Sequence, residues 1–246
     1  MQPPEAWRAR LAGTLVVLGL LAVYYGTSEH WPNLGQWGDV AFLALGLMPL
    51  TFSLVWLALP LQHAAQRHLA GAAIAFVVAA FVLEQLNLDI AANFVKIAAV
   101  AAVGWWFLTF FESLSWVLLI AVLIAPVDTL SVARGPTKEI VENQPEVFNA
   151  LSISFPLPGE HASAQLGLPD ILFFSLFLGA AERFGLRVGW TWLAMTLSFG
   201  TTLALAVAFD ISGLPALPLL SLTFVLPNAD LIWRAYKERS VATDSK

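Results

Sequence analysis

The sequence predicts an all-α protein, a polytopic transmembrane helix bundle of about eight spans. Three observations carry that expectation. Hydrophobic residues make up 59% of the 246 positions and charged residues only 12%, whereas a soluble domain averages about 25% charged residues. The mean hydropathy is +0.76. Apolar runs approaching the roughly 20 residues that cross a bilayer core follow one another along nearly the whole chain, so residues 1–246 read as one integral membrane domain embedded in lipid. Cys is absent, which excludes disulfides, thiolate metal sites and cysteine nucleophiles together. The net charge of -5, with no block of Lys or Arg, offers nucleic acid no surface.

The first run, residues 11–26, follows Arg8 and Arg10 but lacks the small-residue cleavage pattern of a signal peptide. Tyr24, Tyr25 and Trp31 fall where an interfacial aromatic belt is expected, which favours a retained span. Runs at 40–59, 69–86 and 90–111 complete the N-terminal group, spans within 11–111. A fifth span is expected over 114–132, and the polar stretch 133–168 follows it. Pro136, Pro145, Pro156 and Pro158 break any long helix there, so the stretch reads as a loop. Within it VFNALSISF, residues 147–155, mixes β-branched and aromatic with polar residues over strand length, the pattern of a short strand. Residues 169–184, 188–209 and 214–226 supply three more spans, the C-terminal ones lying within 188–230.

Positive charge sets orientation, because Lys and Arg near span ends stay in the cytoplasm. With eight spans and a cytoplasmic N-terminus, Arg8, Arg10, Arg67, Arg183, Arg187, Arg234, Lys237, Arg239 and Lys246 fall inside. Arg134 and Lys138 fall outside, and Lys96 lies within a span. The expected topology is multi-pass, with both termini cytoplasmic and the 133–168 loop outside.

Charges inside spans are expensive and therefore mark candidate chemistry. Glu84, Asp89, Glu182, Asp210 and Asp230 lie at span ends, where water or headgroups solvate them, and Lys96 is near enough to an end to snorkel. His30, His63, His68 and His161 fall in or beside loops without metal-ligand spacing, so no metal and no cofactor is expected. No serine stands in a G-x-S-x-G context.

Asp128 and Asp170 differ, because they sit inside apolar segments flanking the same loop. Antiparallel helices joined by that loop bring both carboxylates to a similar membrane depth. Two carboxylates in a low-dielectric site cannot both ionise cheaply, so such a pair holds one proton, and one member can activate water while the other protonates a carbonyl. Proton-coupled transporters also keep paired intramembrane carboxylates, and spacing alone does not separate the two.

Three local sequences go further. VDTLSVARGPTKEIVE, QLGLPDILFFS and GLPALPLLSLTF, in that order, resemble the signatures of the presenilin and signal peptide peptidase family of intramembrane aspartyl proteases, over about residues 94–226. The resemblance implies a presenilin-like bundle, typically of nine spans where eight are counted here. It also implies that Asp128, followed by Gly135 and Pro136, and Asp170 are catalytic. Gly167, Leu168 and Pro169 with Asp170 take the places of the G-x-G-D motif, with Pro169 for the second Gly. Pro suits the first position of a helix and biases Leu168 towards an extended conformation. Pro215, Ala216, Leu217 and Pro218 match the P-A-L motif, and Val127 stands where the family has tyrosine. Transmembrane helices of other proteins, or remnant signal peptides, are then the substrates. The resemblance further implies that an unwound substrate joins a small sheet built from 147–155, including Ile153, and 164–168, with both strands poorly ordered until it arrives. A catalytically inactive relative that binds transmembrane helices and a proton-coupled transporter are the alternatives.

Overall fold

The computed structural model describes residues 4–134, 145–211 and 213–244. The chain is mostly helical. Helix α1 (Pro4–Thr27) is followed by α2 (Gln36–Phe42) and α3 (Met48–Ala58), which a π-helical stretch, Leu43–Leu47, joins into one rod. Pro49 explains the wide turn: it has no N–H to bond back and its ring presses on the preceding turn, and a π-bulge absorbs both. Then come α4 (Gln66–Gln85), α5 (Asp89–Leu108) and α6 (Leu114–Arg134). A short helix α7 (Pro145–Ala150) leads into strands β1 (Ser152–Pro156) and β2 (Ser163–Gly167), and α8 (Leu168–Arg183), α9 (Val188–Ala208), α10 (Leu217–Val225) and α11 (Ala229–Asp244) complete the chain.

Six segments among the described residues are long and apolar enough to cross a membrane: Trp7–His30, Gln36–His63, Gln66–Gln85, Asp89–Leu108, Leu114–Ala133 and Val188–Ala208. The expected spans at 169–184 and 214–226 form helices of 16 and 9 residues, α8 and α10, shorter than a full crossing. Hydropathy drew all eight alike because it does not distinguish lipid from protein surroundings. The sequence of α8 is apolar all round, and such a helix suits burial within protein. Ile171, Phe174, Leu176, Phe177, Leu178, Ala180 and Ala181 are all fully buried. Helices α3, α5, α9 and α10 surround it. Phe52 stacks on Phe174 with ring centroids 4.4 Å apart, and Phe177 on Phe224 at 4.7 Å.

Without a hydrophobic force between helices in lipid, close approach depends on small residues. Gly104 of α5 meets the backbone of α8 at Leu172 and Leu176, and Gly200 of α9 meets Ala44. The outward faces are apolar. Ile74, Val77, Val78 and Phe81 of α4 and Leu15, Val16, Leu20 and Val23 of α1 are exposed, as a bilayer requires.

Candidate active site at the α6, α8 and α10 junction

Asp128 lies on α6 two residues after Pro126, the one proline inside that helix. Proline removes the bond its N–H would make to the carbonyl four residues back, so the ladder is interrupted just before the carboxylate. Asp128 is half-buried, and its Oδ2 accepts the Leu217 N–H at 3.1 Å. Leu217 opens α10, where the first N–H groups have no partner within the helix, and a carboxylate satisfies one of them. The P-A-L-P segment thus meets the first Asp through its backbone. Ala216 and Leu217 are buried, and Pro218 sits in the first turn of α10, where a missing N–H costs nothing.

Asp170 occupies the first turn of α8 and is half-buried. Its carboxylate lies against the backbone of Gly167, the last residue of β2. Helix α6 packs on α10 and touches α8, so both carboxylates converge on one junction. Gly167 is extended, with φ -62° and ψ 142°, so its want of a side chain reflects space rather than backbone freedom. A Cβ there would lie 3.2 Å from Asp170 Oδ2.

The helix begins at Leu168, one residue earlier than a strand running up to Pro169 would have it. Leu168 nevertheless keeps its ladder bond, donating its N–H to Leu151 O at 2.9 Å. Pro169 then falls at the start of α8, where proline is tolerated. Strand β2 therefore runs directly into the helix that carries Asp170. Gly135 and Pro136 lie outside the described residues.

The hairpin differs in its limits from the expected strands. Residues 145–150 are helical, with Pro145 at the helix start, and the strand begins only at Ser152. The pattern explains the boundary: Ile153 and Phe155, on one face, are fully buried, and that alternation starts after Leu151. Strand β2 covers 163–167, and the two strands pair antiparallel with Ser152 opposite Gly167 and Pro156 opposite Ser163.

Two further expectations are corrected. Lys96 does not snorkel. Its side chain is only 12% exposed, lies 2.5 Å from Glu84, and donates to Asn149 O and Ser152 O at 3.0 and 3.3 Å. A largely covered ammonium is tolerated when paired and hydrogen-bonded in this way. Tyr24 and Tyr25 are buried rather than facing an interface, and their hydroxyls bond carbonyls of β1. Asn93 joins the same contact, donating to Ser154 O at 3.1 Å, and its only mark in the sequence is that of a polar residue within an apolar run. His63 lies 3.6 Å from Glu182 and His161 3.0 Å from Glu29. Among the described residues no group of three or more His, Asp or Glu side chains is arranged to hold a metal ion. Comparison with known protein families found no matching family model, and comparison with curated proteins found no matching relative.

Proposed function

We propose that this chain is an intramembrane aspartyl endopeptidase that hydrolyses a peptide bond in a transmembrane segment of another protein, with Asp128 and Asp170 as the catalytic pair. The observation that carries the reading is the convergence of α6, α8 and α10, where the Asp128 carboxylate accepts the Leu217 N–H and Asp170 stands in the first turn of α8, three residues past the end of β2. One ionised Asp draws a proton from water as the water attacks the scissile carbonyl, and the other gives its proton to the carbonyl oxygen. The pair titrates as a unit, so neither role belongs to one residue.

A helical substrate hides its backbone in its own hydrogen bonds and must open before it can be cut. An opened segment can add to the hairpin, because strand addition reads main chain first and side chains second. Eight membrane-embedded helices, both termini in the cytoplasm and the 133–168 loop outside, belong to the same proposal.

The deciding assay is cleavage of a single-span reporter by the purified chain in vesicles, with products identified by mass. Cleavage lost in Asp128→Ala supports the endopeptidase. Binding of the reporter without cleavage, surviving substitution of both Asp residues, would make the chain a helix-binding relative. A substrate-dependent proton flux would make it a transporter.

A further inference from the structure

Strand β1 has two edges, and both are occupied. Towards β2, Leu168 N–H donates to Leu151 O at 2.9 Å and Leu157 N–H to Ala162 O at 3.0 Å. With Ile153 opposite Leu166 and Phe155 opposite Ala164, antiparallel alternation puts the odd-numbered residues of β1 on that edge. The even-numbered residues turn their backbone groups the other way. In a bare two-stranded hairpin this second edge would be open, and open edges recruit other strands.

Side chains of α1 and α5 close it. Ser154 N–H donates to Asn93 Oδ1 at 2.8 Å, and Ser154 O accepts from Asn93 Nδ2 at 3.1 Å and from the Tyr25 hydroxyl at 2.8 Å. A carboxamide carries one acceptor and one donor side by side, as a peptide group does, so Asn93 stands where the backbone of a third strand would stand. Pro156 has no N–H to satisfy, and its carbonyl accepts from the Tyr24 hydroxyl at 2.8 Å. The Ser152 carbonyl accepts from Lys96.

The turn is held as well. Gly159, with φ 70°, donates its N–H to Ser28 O at 2.8 Å, and Asn33 donates to Glu160 at 2.8 Å. A Cβ on Gly159 would meet Asn33 N at 2.7 Å, so only glycine serves there. The opposite edge, that of β2, carries the outward backbone groups of Ser163, Gln165 and Gly167 and leads to Asp170.

We propose that Asn93, supported by Tyr24, Tyr25 and Lys96, is a positioning residue that replaces a third strand on the outer edge of β1. The hairpin is thereby built before substrate arrives and offers an extended segment one edge, that of β2, in one register relative to Asp170. The positioning role rests on the endopeptidase reading, whereas the pre-formed hairpin does not.

The test uses the full chain in micelles and in vesicles, with Asn93→Ala, Asn93→Asp and Tyr25→Phe. The aspartate variant keeps an acceptor for Ser154 N–H and loses the donor. Hydrogen exchange without substrate is read over 152–157, with 171–181 of α8 as internal control. Loss of a buried backbone hydrogen bond predicts exchange about tenfold faster over 152–157 in Asn93→Ala. The other two variants should show smaller increases, and α8 none. On the single-span reporter, Asn93→Ala should raise KM and spread cleavage over neighbouring bonds, while Asn93→Asp restores part of the wild-type pattern.

Unchanged hairpin exchange in Asn93→Ala would overturn the proposal, as would a loosened hairpin that leaves both cut site and KM as in the wild type. Should Asn93→Ala fail to fold, Tyr25→Phe, which removes one hydroxyl, decides by the same readings. Should the wild type cut no reporter, the endopeptidase reading fails with the positioning role. Exchange over 152–157 then decides the pre-formed hairpin, faster exchange upholding it and unchanged exchange overturning it.

Discussion

Replacing Gly104 by alanine should weaken the bundle at the contact that seats Asp170. A Cβ at Gly104 would lie 2.7 Å from Leu172 O and 3.3 Å from Leu176 N, with Ser175 Oγ closer still. Ordinary contact begins at 3.4 Å, so the Leu172 carbonyl would have to withdraw by 3.4 minus 2.7, or 0.7 Å. That oxygen belongs to helix backbone, which cannot turn aside as a flexible side chain can, so α5 and α8 must separate. Overpacking of this kind costs ~2 kcal/mol, a factor of about 30 in the folding equilibrium. Because Asp170 rides on the first turn of α8, cleavage should fall further, since a misplacement of ~1 Å can cost about a hundredfold.

The assay is equilibrium unfolding of the purified protein in micelles, with Gly71→Ala as the control. Gly71 lies in the interior of α4 and a Cβ there meets nothing within 4 Å, so alanine should be neutral or slightly stabilising. Equal unfolding midpoints for Gly104→Ala and the wild type would refute the close approach of α5 and α8.

Other expectations concern the site and the surface. Asp128→Asn and Asp170→Asn should each abolish reporter cleavage with circular dichroism and monodispersity unchanged, and turnover in either variant would mean the pair is misassigned. Ile153→Pro removes a ladder N–H opposite Leu166 and should lose cleavage while the bundle stays folded; undiminished cleavage would leave the hairpin a connector. Arg187 binds Asp230 through two bonds of 2.6 and 2.8 Å, and the Arg187 guanidinium holds the Asp230 carboxyl below its ordinary range. A depressed folded pKa contributes stability that is present above the unfolded value, about 4, and is lost as pH falls through the folded one. The wild-type unfolding midpoint should therefore drop more than that of Asp230→Asn on acidification below about pH 4. Parallel curves would show that the exposed pair contributes nothing.

Much of the frame was legible in the chain itself. Long apolar runs specify membrane helices because the bilayer demands about 20 residues without backbone or charge exposed, and this requirement acts locally. It found the six membrane-length segments present among the described residues, and it found two carboxylates inside apolar sequence flanking one polar loop. It overextended 169–184 and 214–226 into full crossings, because a helix buried in protein and one buried in lipid have the same composition. It also carried β1 back to Val147, since VFNA suits strand or helix and only Pro145 at the helix start decides.

Composition, periodicity and motif spacing thus determined a membrane helix bundle and nominated Asp128 and Asp170. Which partners those residues keep was decided by tertiary structure. Leu217 reaches Asp128 across 89 positions, and Asn93 and Tyr24 reach β1 across 61 and 132. Tyr24 and Tyr25 carry the local marks of an interfacial belt, and Lys96 those of a snorkelling end. Each hydroxyl and ammonium instead satisfies a strand carbonyl that no local pattern could bring beside it. A buried backbone edge must find donors wherever packing delivers them, and packing depends on the whole bundle.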